Sequence, residues 1–141
     1  MSYQAKRKKL YEEEFQLIDE NGNVVHTINV SLDADNMVKK LSEKHLALTK
    51  ALKDVQHMEE SGKGLEILGS TIVDIIEAVF GKEDAKVVLE FYDNRYVEMC
   101  QEVVPFITTI VIPAVRKIAK ENKLQVLSQY NKKPKRLFGR R

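Results

Sequence analysis

An uncharged apolar run at residues 103–115 limits what this chain can fold into more than any other feature. The run has 13 residues and contains Pro105 and Pro113, two of the three prolines of the chain. A helix that crosses a membrane needs roughly 20 apolar residues, so we interpret this shorter run as a segment of a protein core. Other elements of the chain must therefore cover it.

The secondary structure of this run is open between helix and strand. Proline suits the first turn of a helix, because its missing N–H group is not needed there, so a last helix could begin at Pro105. Alternatively, one long helix is kinked at that proline. The isoleucines and threonines at 107–112 also favour a strand. We predict a helix over about 105–123 and keep a buried strand as the alternative for 105–113.

Length and composition indicate one folded domain. A chain of 141 residues suits one domain better than two, and 43% apolar with 31% charged residues is typical of soluble globular proteins. Cys100 is the only cysteine, so no internal disulfide can form, and a reducing cytoplasm is the expected compartment. The basic residues at 6–9 are not followed by an apolar stretch, so we expect no signal peptide.

The charges are distributed unevenly along the chain. Ten of the 23 basic residues lie near the two ends, at 6–9 and 132–141, whereas all 21 acidic residues lie between Glu12 and Glu121. Residues 10–131 therefore carry a net charge of −8, although the whole chain has a net charge of +2. An acidic body with basic ends indicates more about partners than the overall charge does.

A β-hairpin is predicted near the N-terminus, over residues 14–31. Asn21 and Gly22 lie between two segments rich in apolar and β-branched residues, and this dipeptide favours a type I′ turn, in which both central residues have positive φ. An isolated hairpin is marginally stable in water, so it either covers the helical core or pairs its edge with a partner's strand. We favour the first. Alternation places the following residues of the second strand on one face: Val24, His26, Ile28, Val30 and Leu32.

Helices are predicted after the hairpin, at about 34–61, 65–80, 82–104 and 105–123. Asp33 offers an oxygen that suits the start of the first helix, and Gly81 suits the end of the second as a left-handed residue. The glycines around Lys63 mark a helix–helix turn, because the residues of the phosphate-binding motif GxxxxGK[ST] are not in place there. Steps of three and four put these residues of the first helix on one stripe: Val38, Leu41, His45, Leu48, Leu52 and Val55.

The predicted fold class is therefore α+β and mainly helical, with an N-terminal β-hairpin, a bundle of about four helices and a basic C-terminal tail. Residues 14–124 form the single domain, and residues 1–13 form a polar arm. Apolar periodicity fades from about residue 125, where basic residues become frequent. We therefore predict a flexible tail over 125–141.

The sequence contains no pattern of catalytic or metal-binding residues. Cys100 has no histidine near it in the sequence and lies among apolar residues, which is typical of an inert core thiol. His45 lies within the apolar stripe, where a packed histidine is more common than a ligand. His26 and His57 have no partners at metal-ligand spacing. We therefore expect no enzyme activity, no cofactor and no metal site.

The basic tail has three interpretations. It could bind nucleic acid through phosphates, dock on an acidic partner, or keep the chain soluble. A nucleic-acid domain usually carries its basic face on the fold itself, and this body is acidic. We therefore favour nucleic-acid binding less than the other two interpretations of the tail. The partner-binding residues predicted from the stripe and the tail are as follows: Val38, Leu41, Leu48, Leu52, Val55, Lys132, Lys133, Lys135, Arg136 and Phe138.

This order of elements resembles the tail assembly chaperones of long-tailed, siphovirus-type bacteriophages and prophages. The hairpin at 15–30, the helical body at 33–122 and the charged end at 132–141 carry the resemblance, and together they cover most of the chain. That family has no fixed motif. The resemblance is therefore one of size and order of elements, and no residue roles are transferred from it.

The resemblance implies a non-enzymatic protein in the cytoplasm of a bacterial host. Such a chaperone keeps the long, helical tape measure protein soluble and helps to recruit tail tube subunits to it. In that family a programmed ribosomal frameshift near the end of the gene often extends part of the product. The apolar stripe of the first helix would then receive a partner's helix or drive self-association into a homo-oligomer. The alternative is a phage structural or regulatory protein that binds nucleic acid through its basic tail, and no membrane partner is expected.

Overall fold

The structure, a computed structural model, describes residues 1–57 and 63–138. The side chains of His57, Lys63 and residues 132–138 are outside that description. The predicted fold class is confirmed: an antiparallel β-hairpin is followed by helices that make up most of the chain.

The elements follow one another closely. The hairpin consists of β1 (Tyr11–Ile18) and β2 (Val24–Leu32). Four helices follow: α1 (Ala34–His57), α2 (Lys63–Phe80), α3 (Lys82–Phe91) and α4 (Tyr96–Glu102). The last helix, which we call α5, has three consecutive parts: an α-helical turn (Val104–Phe106), a π-helical segment (Ile107–Val111) and a long α-helix (Ile112–Phe138).

The hairpin buries part of the face that alternation predicts, whereas Val24 and His26 of that face are exposed. Ile28, Val30 and Leu32 of β2 are buried, and Leu17 of β1 is buried beside them. The strand begins at Tyr11 rather than at residue 14, because Tyr11 pairs with Leu32 and continues the inner face. The predicted arm therefore shortens to residues 1–10.

The predicted type I′ turn is wrong. Gly22 has a φ of 84°, but Asn21 is not among the residues with positive φ. The N–H of Gly22 donates to the carbonyl of Asp19 at 3.0 Å, and the N–H of Asp19 donates to the carbonyl of Asn23 at 2.9 Å. These bonds close a three-residue loop with a glycine in the left-handed region. The Asp19 carboxylate accepts the N–H groups of Asn21 and Asn23, which favours this longer loop over the two-residue turn.

The first two helices agree with the prediction where they can be compared. α1 is described as far as His57, so the predicted residues 58–61 lie outside the described range. The predicted turn at 61–64 is only partly described, and Lys63 with Gly64 already belongs to α2. The buried face of α2 is wide, as predicted, and includes Ile72, Ile75 and Ile76.

The predicted continuous helix over 82–104 is wrong, because the chain turns between α3 and α4. Asp93 and Asn94 have φ values of 51° and 58°, and the N–H of Asn94 donates to the carbonyl of Leu89 at 3.0 Å. Asp and Asn adopt the left-handed region more readily than other non-glycine residues. Two of them in succession therefore end α3 and allow α4 to begin at Tyr96.

The apolar run at 103–115 is helical from Val104 onward and buries one face, so the strand alternative for 105–113 is wrong. Pro105 lies in the first turn of α5, where its missing N–H costs nothing. The π-helical segment lies between the two prolines. Pro113 has no N–H for the carbonyl of Thr109, and the hydroxyls of Thr108 and Thr109 donate to carbonyls four residues earlier. Both features weaken the regular bonding pattern.

The predicted end of the last helix near residue 123 is wrong, because α5 continues to Phe138. The flexibility predicted for residues 125–141 remains a prediction. The prediction ended this helix near residue 123, where the apolar periodicity weakens. Leu, Gln, Lys and Arg dominate the continuation, and all four have good helix propensity. No glycine lies between Gly81 and Gly139, although Pro134 lies within the continuation and has no N–H for the carbonyl of Tyr130. Residues 139–141 lie outside the described range.

Three phenylalanines join the hairpin to the helices. The ring centroid of Phe15 in β1 lies 4.7 Å from that of Phe106 in α5 and 5.2 Å from that of Phe80 in α2. The rings of Phe80 and Phe106 are 6.0 Å apart. The hairpin therefore covers the helical core, as we favoured, through aromatic contacts that are typically worth about 0.5–1.5 kcal/mol each beyond burial.

Candidate partner-binding surface

The stripe predicted on α1 is mostly used within this chain. Leu41 and Leu48 are buried, with 1% and 2% of their surface exposed, and Val38 and Val55 are half-buried. Leu52 is exposed. α1 packs against α2 and α5, so a partner would have to displace one of them to reach Leu41 or Leu48. The proposed partner contact of this stripe remains a prediction, for which Leu52 is the accessible member.

A second apolar stripe lies on α5, within the residues for which the sequence predicts a flexible tail. Its members are exposed large apolar side chains within about 100° of one another around the helix: Val126, Leu127 and Tyr130. We call this set the terminal stripe. Leu124 is also exposed, but it lies about 160° around the helix from Val126. Exposed single apolar residues are ordinary, but a group of them on one helix indicates an interaction surface.

The terminal stripe continues the face that α5 packs against α1. Ile112 and Val115 are buried on this face, and Val126 follows them at helical spacing with 64% of its surface exposed. α5 runs antiparallel to α1, because Arg116 bonds to Ser42 and Asn122 bonds to Asp35. Since α1 begins at Ala34, α5 extends past its start. The end of α5 after residue 122 therefore projects beyond the start of α1, over about 24 Å of helix.

A shallow groove lies where α5 leaves the body. It has a volume of about 240 Å³ and is lined by Asp35, Asn122, Lys123, Val126 and Leu127. Asn122 connects the two helices here, because its Nδ2 donates to the Asp35 carboxylate at 3.1 Å. The terminal stripe therefore begins at a fixed polar contact with the start of α1.

The N-terminal arm lies beside the same part of α5. The Nζ of Lys8 donates to Gln125 Oε1 at 3.1 Å and to Asn122 Oδ1 at 3.4 Å. A cavity of about 380 Å³ lies next to this contact, between residues 7–11 of the arm and strand start, residues 32–35, and α5. The arm is therefore held on α5 through exposed hydrogen bonds of one lysine.

Tyr11 lines that cavity and has a buried hydroxyl. The hydroxyl makes no hydrogen bond to any residue that the structure describes. Burial, and then the nearby Glu13 carboxylate, raise the pKa of Tyr11 above its ordinary value. The phenol is therefore held in its neutral form by both influences.

The predicted basic residues lie on the last turns of α5. The backbone is helical at Lys132, Lys133, Lys135, Arg136 and Phe138. The side chains of these residues are outside the description. These residues therefore follow the terminal stripe on the same helix, whereas the apolar stripe of α1 lies within the body. The sequence signal for this arrangement is the spacing of seven and then four residues between Val115, Asn122 and Val126.

An acidic cleft of about 630 Å³ lies at the other end of the hairpin, between its loop and the turn that joins α3 to α4. Burial raises the pKa of Tyr92 in this cleft, and the carboxylates of Glu102 and Glu98 raise it further. Glu98 already pairs with Arg95 at 3.5 Å, and Asp19 is bound by the hairpin loop. These two carboxylates therefore have structural partners.

The chemistry of the described residues is limited. Among them, no group of three or more His, Cys, Asp or Glu side chains is placed to hold a metal ion. Burial raises the pKa of the half-buried Cys100 thiol, which lowers its reactivity. The absence of enzyme activity remains a prediction.

Among the described helices, none combines the length and the apolar character needed to cross a membrane. Comparison of the chain with protein-family models, curated proteins and solved structures gives no match. The function is therefore argued from the surface itself.

Proposed function

We propose that this chain is a non-enzymatic binding protein and that its terminal stripe receives an amphipathic helix of a partner. The observation that supports the proposal is the continuation of the α1-facing side of α5 beyond the body. Tyr130, with 74% of its surface exposed, and Val126 lie on that continuation. A helix laid along α5 at this point would take the place that α1 occupies beside Val115.

The partner that the family resemblance implies is the tape measure protein of a phage or prophage, which is long and helical. In this proposal the chain acts as a tail assembly chaperone in the bacterial cytoplasm. It covers apolar faces of tape measure helices until tail tube subunits are recruited. Leu52 on α1 is exposed and offers a second contact, for the partner or for another copy of this chain.

Co-expression with the tape measure protein encoded in the same phage genome tests the proposal. We expect this chain to bring the tape measure protein into the soluble fraction. A variant with Val126→Asp and Tyr130→Asp should lose this effect. Ser128→Asp is the matched control, because Ser128 is also exposed on α5 but lies on the opposite side of the helix. Equal recovery with the stripe variant would contradict the proposal.

A second candidate function is nucleic-acid binding through α5. The observation in its favour is that Arg116, Lys117, Lys120 and Lys123 lie on the same continuous helix as the basic residues at 132–136. A basic helix can enter a groove of duplex DNA. Salt-sensitive DNA binding that is unaffected by Val126→Asp and Tyr130→Asp would favour this function over the chaperone.

A further inference from the structure

We infer that the N-terminal arm and the projecting end of α5 form one docking surface for an acidic amphipathic helix. The inference rests on the proposed function, because it takes the terminal stripe as a helix-binding face. It adds the chemistry of the partner, which the terminal stripe alone does not specify.

The geometry of α5 places the arm along one border of the terminal stripe. At about 100° per residue, Tyr130 is turned by about 40° from Val126, and Leu127 is turned by about 100° in the same direction. Asn122 and Gln125, which accept hydrogen bonds from Lys8, are turned by about 40° and 100° in the opposite direction. The arm therefore lies on the side of Val126 away from Leu127.

Exposed cations lie on both sides of Val126. On one side the arm supplies four consecutive basic residues, all exposed: Lys6, Arg7, Lys8 and Lys9. On the other side Lys123 lines the groove with Val126 and Leu127, and Lys120 is exposed one turn earlier on α5. Basic side chains therefore flank Val126 in both directions around the helix, and we call them the two basic margins.

Three carboxylates lie near this surface. The Asp33 carboxylate lines the cavity beside the arm and already accepts the N–H of Asp35 at 3.2 Å and the Asn36 amide at 2.8 Å. Asp35 lines the groove, but its carboxylate already accepts the Asn122 amide at 3.1 Å. Glu121 is exposed on α5 and is turned by about 140° from Val126, away from the terminal stripe. Lys8, through its hydrogen bonds, and Lys123, in the groove, therefore lie at this surface beside carboxylates that already accept hydrogen bonds.

An acidic amphipathic helix satisfies all of these features together. Its apolar residues at helical spacing would cover Val126, Leu127 and Tyr130, while glutamates or aspartates on both flanks would meet the two basic margins. Duplex nucleic acid would satisfy the cations but would leave the apolar side chains against water and phosphate. A basic helix would place like charges together on both sides. The surface therefore favours the acidic helix.

Two synthetic helical peptides with the same apolar face test the inference. One carries glutamates on both flanks and the other carries lysines, and each bears a fluorophore so that binding to the full chain is measured by anisotropy. We expect the glutamate-flanked peptide to bind about tenfold more tightly or better. Its affinity should fall as the salt concentration rises, because exposed charges are screened.

Neutralising the arm tests its part in the surface. The arm variant changes Lys6, Arg7, Lys8 and Lys9 to Gln. The matched control removes four exposed lysines elsewhere and so changes the net charge equally: Lys50, Lys53, Lys82 and Lys86 to Gln. We expect the arm variant to lose about tenfold in affinity for the glutamate-flanked peptide, whereas the control loses much less. Thermal unfolding of the arm variant should be unchanged, because these side chains are exposed.

The outcomes separate this inference from the proposed function. Equal affinity of the arm variant and the matched control, or equal binding of the lysine-flanked peptide, overturns the inference. Duplex DNA that displaces the glutamate-flanked peptide with the same dependence on the arm overturns it in favour of nucleic acid. If the tape measure protein is recovered through Val126 and Tyr130 but the arm variant recovers it equally, the proposed function stands and the inference fails. If the glutamate-flanked peptide binds in a way that depends on the arm but the tape measure protein is not recovered, the inference stands and the proposed function fails.

Discussion

A methyl group added to Gly69 would lie 2.7 Å from two ring carbons of Tyr96. Gly69 is buried in α2, and Tyr96 is the first residue of α4. A carbon–carbon contact this short is well inside the usual 3.5–4.0 Å separation, roughly, of non-bonded atoms. The missing side chain at residue 69 therefore allows α4 to lie against α2.

Gly69→Ala should lower the free energy of unfolding by about 1–3 kcal/mol, because the Tyr96 ring must move. Helix propensity alone would give the opposite sign, a gain of about 1 kcal/mol. Urea unfolding of the wild type, Gly69→Ala, Tyr96→Ala and the double variant measures the coupling between the two positions. The contact argument fails if Gly69→Ala is as stable as the wild type, or if its loss persists when Tyr96 is also alanine.

Phe15→Ala should destabilise the protein by about 3 kcal/mol, at the low end for a phenylalanine because the ring is only half-buried. The change removes the ring that contacts both Phe80 and Phe106. Gln16→Ala is the matched control, since Gln16 is the exposed neighbour in β1 and should change stability by at most about 0.5 kcal/mol. Equal thermal unfolding of the two variants would show that the hairpin is not held by this cluster.

Val115→Ala and Val126→Ala form a matched pair on one face of α5. Val115 is 1% exposed and Val126 is 64% exposed, so the first change should cost about 2 kcal/mol and the second less than about 0.5 kcal/mol. Chemical denaturation measures both. A large loss from Val126→Ala would mean that the terminal stripe is buried within the folded protein, and it would remove the basis of the proposed function.

Cys100 should react slowly in the folded protein. Burial raises the pKa of its thiol, so a smaller fraction is thiolate near pH 8 than in the unfolded chain. Alkylation followed by mass spectrometry should show a faster rate in urea than in buffer.

Because the raised pKa belongs to the folded state, the contribution of the Cys100 thiol to stability is present below the unfolded pKa, about 8.5, and is lost as pH rises above it. Cys100→Ala should lack that part of the pH dependence; identical curves for the two proteins would contradict the assignment.

The elements that the sequence predicts well are those with strong periodicity. In β2, Ile28, Val30 and Leu32 alternate as predicted, and in α1 the spacing of Leu41 and Leu48 marks the buried face. In both elements one face must be buried in the fold, and that requirement produces the regular spacing of apolar residues in the sequence. Alternation does not show where a strand becomes exposed, and Val24 and His26 on the same predicted face are exposed.

Local backbone choices were harder to predict. The Asn21–Gly22 dipeptide suits a two-residue turn, but the Asp19 side chain binds two N–H groups of a longer loop. Asp93 and Asn94 could continue a helix or adopt positive φ, and only the packing of α4 decides between these. The alternative backbone conformations at such residues differ in free energy by about 1 kcal/mol or less per residue, so packing in the rest of the fold determines which one is adopted.

The candidate surface was missed for a related reason. The terminal stripe has few apolar residues among many polar ones, so the periodic signal after Asn122 is weak. The contact of Lys8 with Gln125 joins residues that are 117 positions apart, and no local pattern reports such a contact. The charges near the terminal stripe can be counted in the sequence, but the sequence does not show that the fold brings them to one location.

The continuity of α5 fixes the helical phase of the terminal stripe relative to the core. Val115 and Val126 belong to one uninterrupted helix, so inserting one residue between Lys123 and Val126 would rotate the stripe by about 100° relative to the arm. An insertion of seven residues would change the direction by only about 20° and would move the stripe further from the body. Lengthening this helix in steps of seven would therefore change the reach of the surface while keeping the direction in which it faces.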